Sequence, residues 1–315
     1  MPYTRRQFTK LALTALPAAG LLSSLRPLAA AEKAAKPNSR VNGVHIGLNV
    51  PYSFSMPTMP GDEILARCQQ LNVSAVELRA QPVEAFLGLP AMLVATKSNA
   101  GADGSANAAK LKEWRKGASM DRVKDFRRKF EDGGVMIEIL KVDQIFKMAD
   151  EELDYSFAMA KALGARAIST EISKADEDMK RVGKFADKHQ FMVAYHGHAT
   201  TTPEHWETAF SFAKFNGANV DLGHFIAGNN KSPADFIKKH HARILHVHVK
   251  DRKLNNGGNT PFGEGDTPIR DILRLIRENK WNIQATIEFE YKVPANSDRM
   301  KELARAIQYC RDALA

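Results

Sequence analysis

Short apolar runs separated by stretches of helical periodicity repeat along this chain, and that alternation constrains the fold more than any other feature. The runs cover 44–50, 75–79, 135–142, 165–170, 191–196, 219–222, 244–249 and 283–289. Between them lie segments with apolar residues at helical spacing, among them 61–71, 153–163, 179–188, 203–215, 233–240, 269–278 and 297–313. Parallel strands need a crossover connection, usually a helix, so this alternation predicts a parallel sheet. Eight such units without a glycine-rich dinucleotide fingerprint predict closure into a (β/α)8 barrel, the TIM barrel architecture, as a single domain over 44–315. After the second run the connection is long, and its 95–110 part, rich in Ala, Ser, Asn and Gly, is expected to form a mobile insertion on the rim. A further apolar run at 89–96 competes for the place of a strand.

The N-terminus reads as an address rather than as part of the fold. Arg5 and Arg6 precede an apolar stretch from Leu11 to Leu25 and small residues at Ala29, Ala30 and Ala31, the layout of a twin-arginine (Tat) export signal over 1–31. A polar linker, 32–43, would join it to the barrel, and the mature protein is expected in the periplasm or otherwise outside the cytoplasm. The apolar stretch is shorter than the roughly 20 residues of a membrane span, so stable membrane insertion is not expected. Part of the formal charge of +9 belongs to Arg5, Arg6, Lys10 and Arg26 of that signal, and basic residues such as those in 122–129 suit a solvated helix face. No interleaved aromatic and basic groove points to nucleic acid. Two cysteines, Cys68 on the first helical segment and Cys310 on the last, leave one disulfide open as an alternative to two buried thiols.

In a barrel of this kind catalytic groups gather at the C-terminal ends of the strands. The later runs end in Ser169-Thr170-Glu171, Tyr195-His196-Gly197-His198, Asp221-Leu222-Gly223-His224, His246-Val247-His248-Val249-Lys250-Asp251 and Ile287-Glu288-Phe289-Glu290. Residues two apart on a strand share a face, so His246 pairs with His248 and Glu288 with Glu290. A single histidine here would read as an ordinary core or surface residue. Imidazoles and carboxylates converging from consecutive strand ends read as a divalent metal site. Without a thiolate, such a set suits Mn, Zn, Co, Fe or, less well, Mg.

Taken in order, these motifs resemble the xylose isomerase-like barrels, a family of sugar phosphate isomerases and epimerases that includes ketose 3-epimerases and inosose dehydratases. The resemblance rests on Ile46-Gly47-Leu48, Val76-Glu77-Leu78, the strand-end motifs above and the loop Gly263-Glu264-Gly265-Asp266. It implies metal ligands at Asp221, His248 and Glu288, with His196 in the fifth-strand position. The epimerases carry a glutamate there that is both ligand and acid–base catalyst, so His196 is a departure, and Glu171 one strand earlier is a candidate replacement. His224 resembles a substrate-contacting histidine; Glu77, Lys141 and Lys250 are further substrate candidates.

The chemistry such groups support is proton abstraction beside a sugar carbonyl, with an enediolate stabilised by the metal. Glu171, Glu288 and Glu290 are the candidate bases, and His198 is a candidate proton donor. Reprotonation gives isomerisation or epimerisation, whereas loss of a β-substituent gives dehydration or glycoside cleavage, as in a 3-keto-glycoside lyase or hydratase. Export disfavours a phosphorylated substrate. A free sugar or glycoside is the expected partner, with self-association left open and a non-catalytic sugar-binding protein as the remaining alternative.

Overall fold

The computed structural model describes residues 35–55, 59–94 and 104–315. The export segment expected at 1–31 lies outside them, as does the 95–103 part of the expected insertion. Eight parallel strands form the frame: β1 Val44–Val50, β2 Ala75–Arg79, β3 Met136–Lys141, β4 Ala167–Glu171, β5 Met192–His196, β6 Asn216–Asp221, β7 Ile244–Val249 and β8 Gln284–Ile287. Each pairs with the next, and β8 returns to β1 with Ala285 opposite Ile46 and Ile287 opposite Leu48. The sheet is therefore closed, and the (β/α)8 barrel is the fold.

Strand alternation sorts the side chains. Ile46, Leu48, Val76, Leu78, Ile168, Val193, Tyr195, Val220, Val247, Val249 and Ile287 join helix residues such as Ile64, Phe130, Leu153, Ile272 and Leu303 in one apolar layer around the barrel. The alternate positions carry Asn49, Glu77, Ser169, Asn219, His246, His248, Gln284 and Thr286, each almost completely buried. Cross-barrel contacts place this second set inside: Glu77 on β2 meets His248 on β7, and Asn219 on β6 reaches Ser169 on β4. Such barrels usually fill this space with branched apolar residues. A polar interior must satisfy its own hydrogen bonds.

Most runs match to within one or two residues, and three places differ in kind. β6 begins at Asn216 and stops at Asp221, because polar Asn216 and Gly217 disguise its start and Asp221 caps the helix Leu222–Asn229, accepting from His224 N at 2.7 Å. The run at 89–96 contains a single 3₁₀ turn, Ala91–Leu93, in its described part. Residues 104–110 belong to the helix Gly104–Lys116, as an alanine-rich stretch favours. Arg115 of that helix binds buried Glu84 at 2.8 Å and Glu152 at 2.9 Å, so this end of the insertion is tied to the barrel wall.

The described part of the expected linker folds under the barrel floor. Arg40–Val41 pairs antiparallel with Val44 and His45, and buried Ser39 exchanges 2.9 Å hydrogen bonds with Ser74. His45 lies between Ser74 Oγ at 2.8 Å and Glu138 Oε1 at 2.6 Å, while Arg166 Nη2 donates to Glu138 Oε2 at 2.6 Å. Cys68 and Cys310 are separate buried thiols in the helices Gly61–Gln70 and Arg299–Leu314. No helix among the described residues is long and apolar enough to cross a membrane.

Candidate metal centre at the barrel mouth

Period-two alternation along β5 to β8 brings one residue from each strand end to a common point. His196, Asp221, His248 and Glu288 are all buried, and each offers a ligand atom within 4.8 Å of the others. His196 Nε2 is 3.4 Å from Asp221 Oδ2, and His248 Nδ1 is 3.4 Å from Glu288 Oε2 and 3.8 Å from Asp221 Oδ2. His248 Nδ1 has no hydrogen-bond partner despite complete burial. An orphaned imidazole nitrogen facing two carboxylates is what a divalent ion with nitrogen and oxygen ligands would complete, so the donor set fits such an ion.

Lysine and asparagine complete the immediate surroundings. Lys250 Nζ lies 2.5 Å from Glu288 Oε2, 2.6 Å from Glu290 Oε2 and 3.1 Å from Asp221 Oδ2, and Asn49 Nδ2 donates to Glu288 Oε1 at 2.8 Å. Burial alone would raise the Asp221 and Glu288 carboxyls, but Lys250 and the neighbouring histidines outweigh it and hold both well below the ordinary range. Burial opposes the charge on His248 too, yet Glu77 and Glu288 lift it to about 10.

Around this centre the other expected residues take distinct places. Glu77 sits beneath His248 rather than at the mouth, fully buried, with Oε2 at 2.5 Å from His248 Nε2. His246, deeper still, is 3.6 Å from Glu77 Oε1, and burial pushes it down to about 4. Lys141 is buried and bound to Glu171 at 2.5 Å, so its ammonium serves that carboxylate. Glu171 also accepts from His196 Nδ1 at 2.9 Å and His198 Nε2 at 2.7 Å. Against the effect of burial, Lys141 and His196 hold its carboxyl far below the usual range.

His198, Glu290 and His224 border the open side. His198 is exposed at the end of β5, and Glu290 lies beyond β8, held by Tyr52 Oη at 2.7 Å and by Lys250. His224 has Arg252 Nη1 at 2.6 Å and Lys250 Nζ at 3.3 Å; burial, aided by Lys250 and the neighbouring histidines, outweighs Asp221 and brings it down to about 4. Asn49, Tyr52 and Arg252 carried no sequence signal, since none belongs to a motif and each becomes relevant only through barrel closure or loop return. The glycine-bearing loop after β7 is anchored rather than free: Asp251 Oδ2 accepts from Gly263 N at 2.8 Å and Gly265 N at 3.0 Å. A Cβ at Gly265 would meet Asp251 Oδ1 at 2.0 Å.

The xylose isomerase-like TIM barrel family model matches residues 118–313, which is more than half of the chain and includes every strand end of the centre. The chain belongs to that family. An inosose dehydratase of Clostridium botulinum is 23% identical over 156 residues, covering 42% of this chain and 52% of that protein. This chain therefore spans about half the length of the curated relatives it matches. Among solved structures, an L-ribulose 3-epimerase superposes with a TM-score of 0.58 at 11% identity, over 86% of this chain and 94% of the other. A xylose isomerase-like barrel protein from Mycobacterium smegmatis, in complex with magnesium, superposes with a TM-score of 0.52 at 15% identity, over 86% and 97% of the two chains. The curated relatives are inosose dehydratases, and the likenesses to the epimerase and to the magnesium-bound barrel bear on the fold alone.

Proposed function

We propose that the protein is a divalent-metal enzyme that removes the proton α to the carbonyl of an unphosphorylated sugar or related polyol. The observation carrying this reading is the convergence of His196, Asp221, His248 and Glu288 at the C-terminal mouth, with an unpartnered buried nitrogen among them. When bound, a divalent ion would polarise the substrate carbonyl and stabilise the oxyanion that develops as the proton leaves.

The chain's own residues supply the proton transfers. His198 and Glu290 flank the two ends of the ligand arc, beyond β5 and β8 respectively, and both reach the open side. One takes the proton from carbon, and the other delivers a proton on the far side of the substrate. Glu171 orients the His198 imidazole through Nε2, while Tyr52 and Lys250 orient Glu290. Lys250 and His224 present donors to substrate hydroxyls. The twin-arginine motif at Arg5 and Arg6 supports action outside the cytoplasm, on a substrate without phosphate.

Delivery of the second proton to carbon gives epimerisation or isomerisation; delivery to a β-oxygen gives dehydration or glycoside cleavage. His196 supports the second outcome as the alternative reading, because it stands where the related epimerases use a glutamate on the second face. The similarity to inosose dehydratase points the same way. Incubation with free sugars, inososes and 3-keto-glycosides in deuterated water separates the two. Deuterium at the α-carbon with substrate carbon–oxygen bonds intact marks epimerisation, and release of water or an alcohol marks elimination. Absence of exchange with every substrate in the presence of Mn, Zn, Co, Fe or Mg would overturn the enzymatic reading in favour of binding.

A further inference from the structure

We infer that Glu171 and Glu77 are positioning residues that select the ring nitrogens through which the two histidines hold the ion, Nε2 of His196 and Nδ1 of His248. This rests on the metal reading above and goes beyond it in assigning how each imidazole is presented.

A neutral imidazole has one N–H donor and one lone pair, and an ionised carboxylate only accepts. The nitrogen in close hydrogen-bond contact with a carboxylate therefore carries the proton, and the one at longer range, facing the ligand carboxylates, is left to bind. In His196 the paired nitrogen is Nδ1, 2.9 Å from Glu171 Oε2, and Nε2 points toward Asp221 Oδ2 at 3.4 Å. For His248 the order is reversed: Nε2 is 2.5 Å from Glu77 Oε2, and unpartnered Nδ1 faces Glu288 and Asp221. Two imidazoles on adjacent sides of the arc thus turn opposite nitrogens to one centre, each backed by its own glutamate from a strand that contributes no ligand.

The glutamates are themselves held. Lys141 Nζ fixes Glu171 Oε1 at 2.5 Å, and Glu77 is enclosed in the barrel interior with His246 as its second neighbour. Glu171 in this role is not the acid–base catalyst; it acts through His196 and His198. A carboxylate behind a ligating imidazole raises its basicity as well as fixing its orientation. That offsets, in part, the lower negative charge of a ligand set with an imidazole at the fifth strand.

The test is metal affinity, read by competition with a chromophoric chelator on the metal-stripped full chain titrated with Zn(II) or Co(II). Glu171→Gln and Glu77→Gln are each expected to weaken binding by roughly 10- to 100-fold, with circular dichroism of the metal-free Glu171→Gln protein showing the barrel still folded. In a His196→Glu background, Glu171→Gln is expected to lose its effect, because no imidazole remains for it to orient. Imidazole ¹⁵N spectra of the Zn(II) form are expected to show the metal-bound nitrogen of His196 as Nε2. Where Glu77→Gln fails to fold, Glu171→Gln and the spectra carry the test alone. An unchanged affinity in Glu171→Gln, or an equal loss in the His196→Glu background, overturns the inference and leaves the metal reading standing. Failure of the wild-type chain to bind either ion overturns both.

Discussion

The Lys250 ammonium lies 2.5 Å from the Glu288 carboxylate and shares with it the neighbourhood of Asp221, so a monovalent charge already neutralises part of the ligand set. Replacing Lys250 by Met leaves buried carboxylates without their cation. Breaking a buried pair in this way destabilises by about 3–5 kcal/mol. The variant is expected to melt well below the wild type in chelator, and to recover much of that loss when a divalent ion is added. Thermal melts with and without metal check this. A Lys250→Met protein that melts like wild type in chelator would show that the ammonium is not the counter-charge.

Loss of a ligand has the opposite signature. Asp221→Ala and His248→Ala each remove one donor of four and are expected to abolish stoichiometric metal retention after gel filtration, with elemental analysis as the readout. Wild type should retain about one ion per chain. Retention at wild-type level in both variants would move the site elsewhere.

Acid stability should depend on the barrel floor. Burial tends to raise Glu138, but His45 and Arg166 dominate and bring it down from 4.5 to about 2. Because the folded value is the lower one, this group stabilises the fold above pH 4.5 and the contribution disappears as pH falls toward 2. At about 1.4 kcal/mol per pH unit, the full effect is about 3 kcal/mol. Glu138→Gln is expected to be less stable than wild type at pH 7 and to converge with it near pH 2. Denaturant midpoints across that range are the measurement, and a constant gap at every pH would refute the assignment.

Cys68 and Cys310 should behave as inert thiols. Burial pushes each up to about 12, and the thiolate is the reactive form. Neither is expected to react with a water-soluble disulfide reagent at neutral pH while the protein is folded. Both should react in denaturant without prior reduction, and finding fewer thiols there would indicate a bridge.

Much of the barrel was legible in the chain because its outer faces obey simple periodicities. Runs such as 44–50 and 244–249 alternate apolar residues toward the helices, and that pattern survives whatever fills the interior. The strand-end chemistry was legible for a related reason: His196, Asp221, His248 and Glu288 occupy equivalent positions on successive strands, so closing the sheet brings them together. β6 was misplaced where it starts with Asn216 and Gly217, since a polar residue facing the helices, where Asn216 Nδ2 donates to Ala209 O at 2.8 Å, removes the apolar signal a strand is recognised by.

The partners of those ligands were decided by tertiary structure. Glu77 lies 171 positions from His248 and Asn49 lies 239 from Glu288, and only barrel closure makes them neighbours. Glu171 had the residue type of a base and the location of one; that its carboxylate meets three donors, Lys141, His196 and His198, is visible only in the folded chain. Sequence by itself determined which groups arrive at the mouth, because alternation and strand order are local properties. Which nitrogen, oxygen or ammonium each group meets depends on distances across the closed sheet, and those distances set the charges and the proton positions on which the chemistry rests.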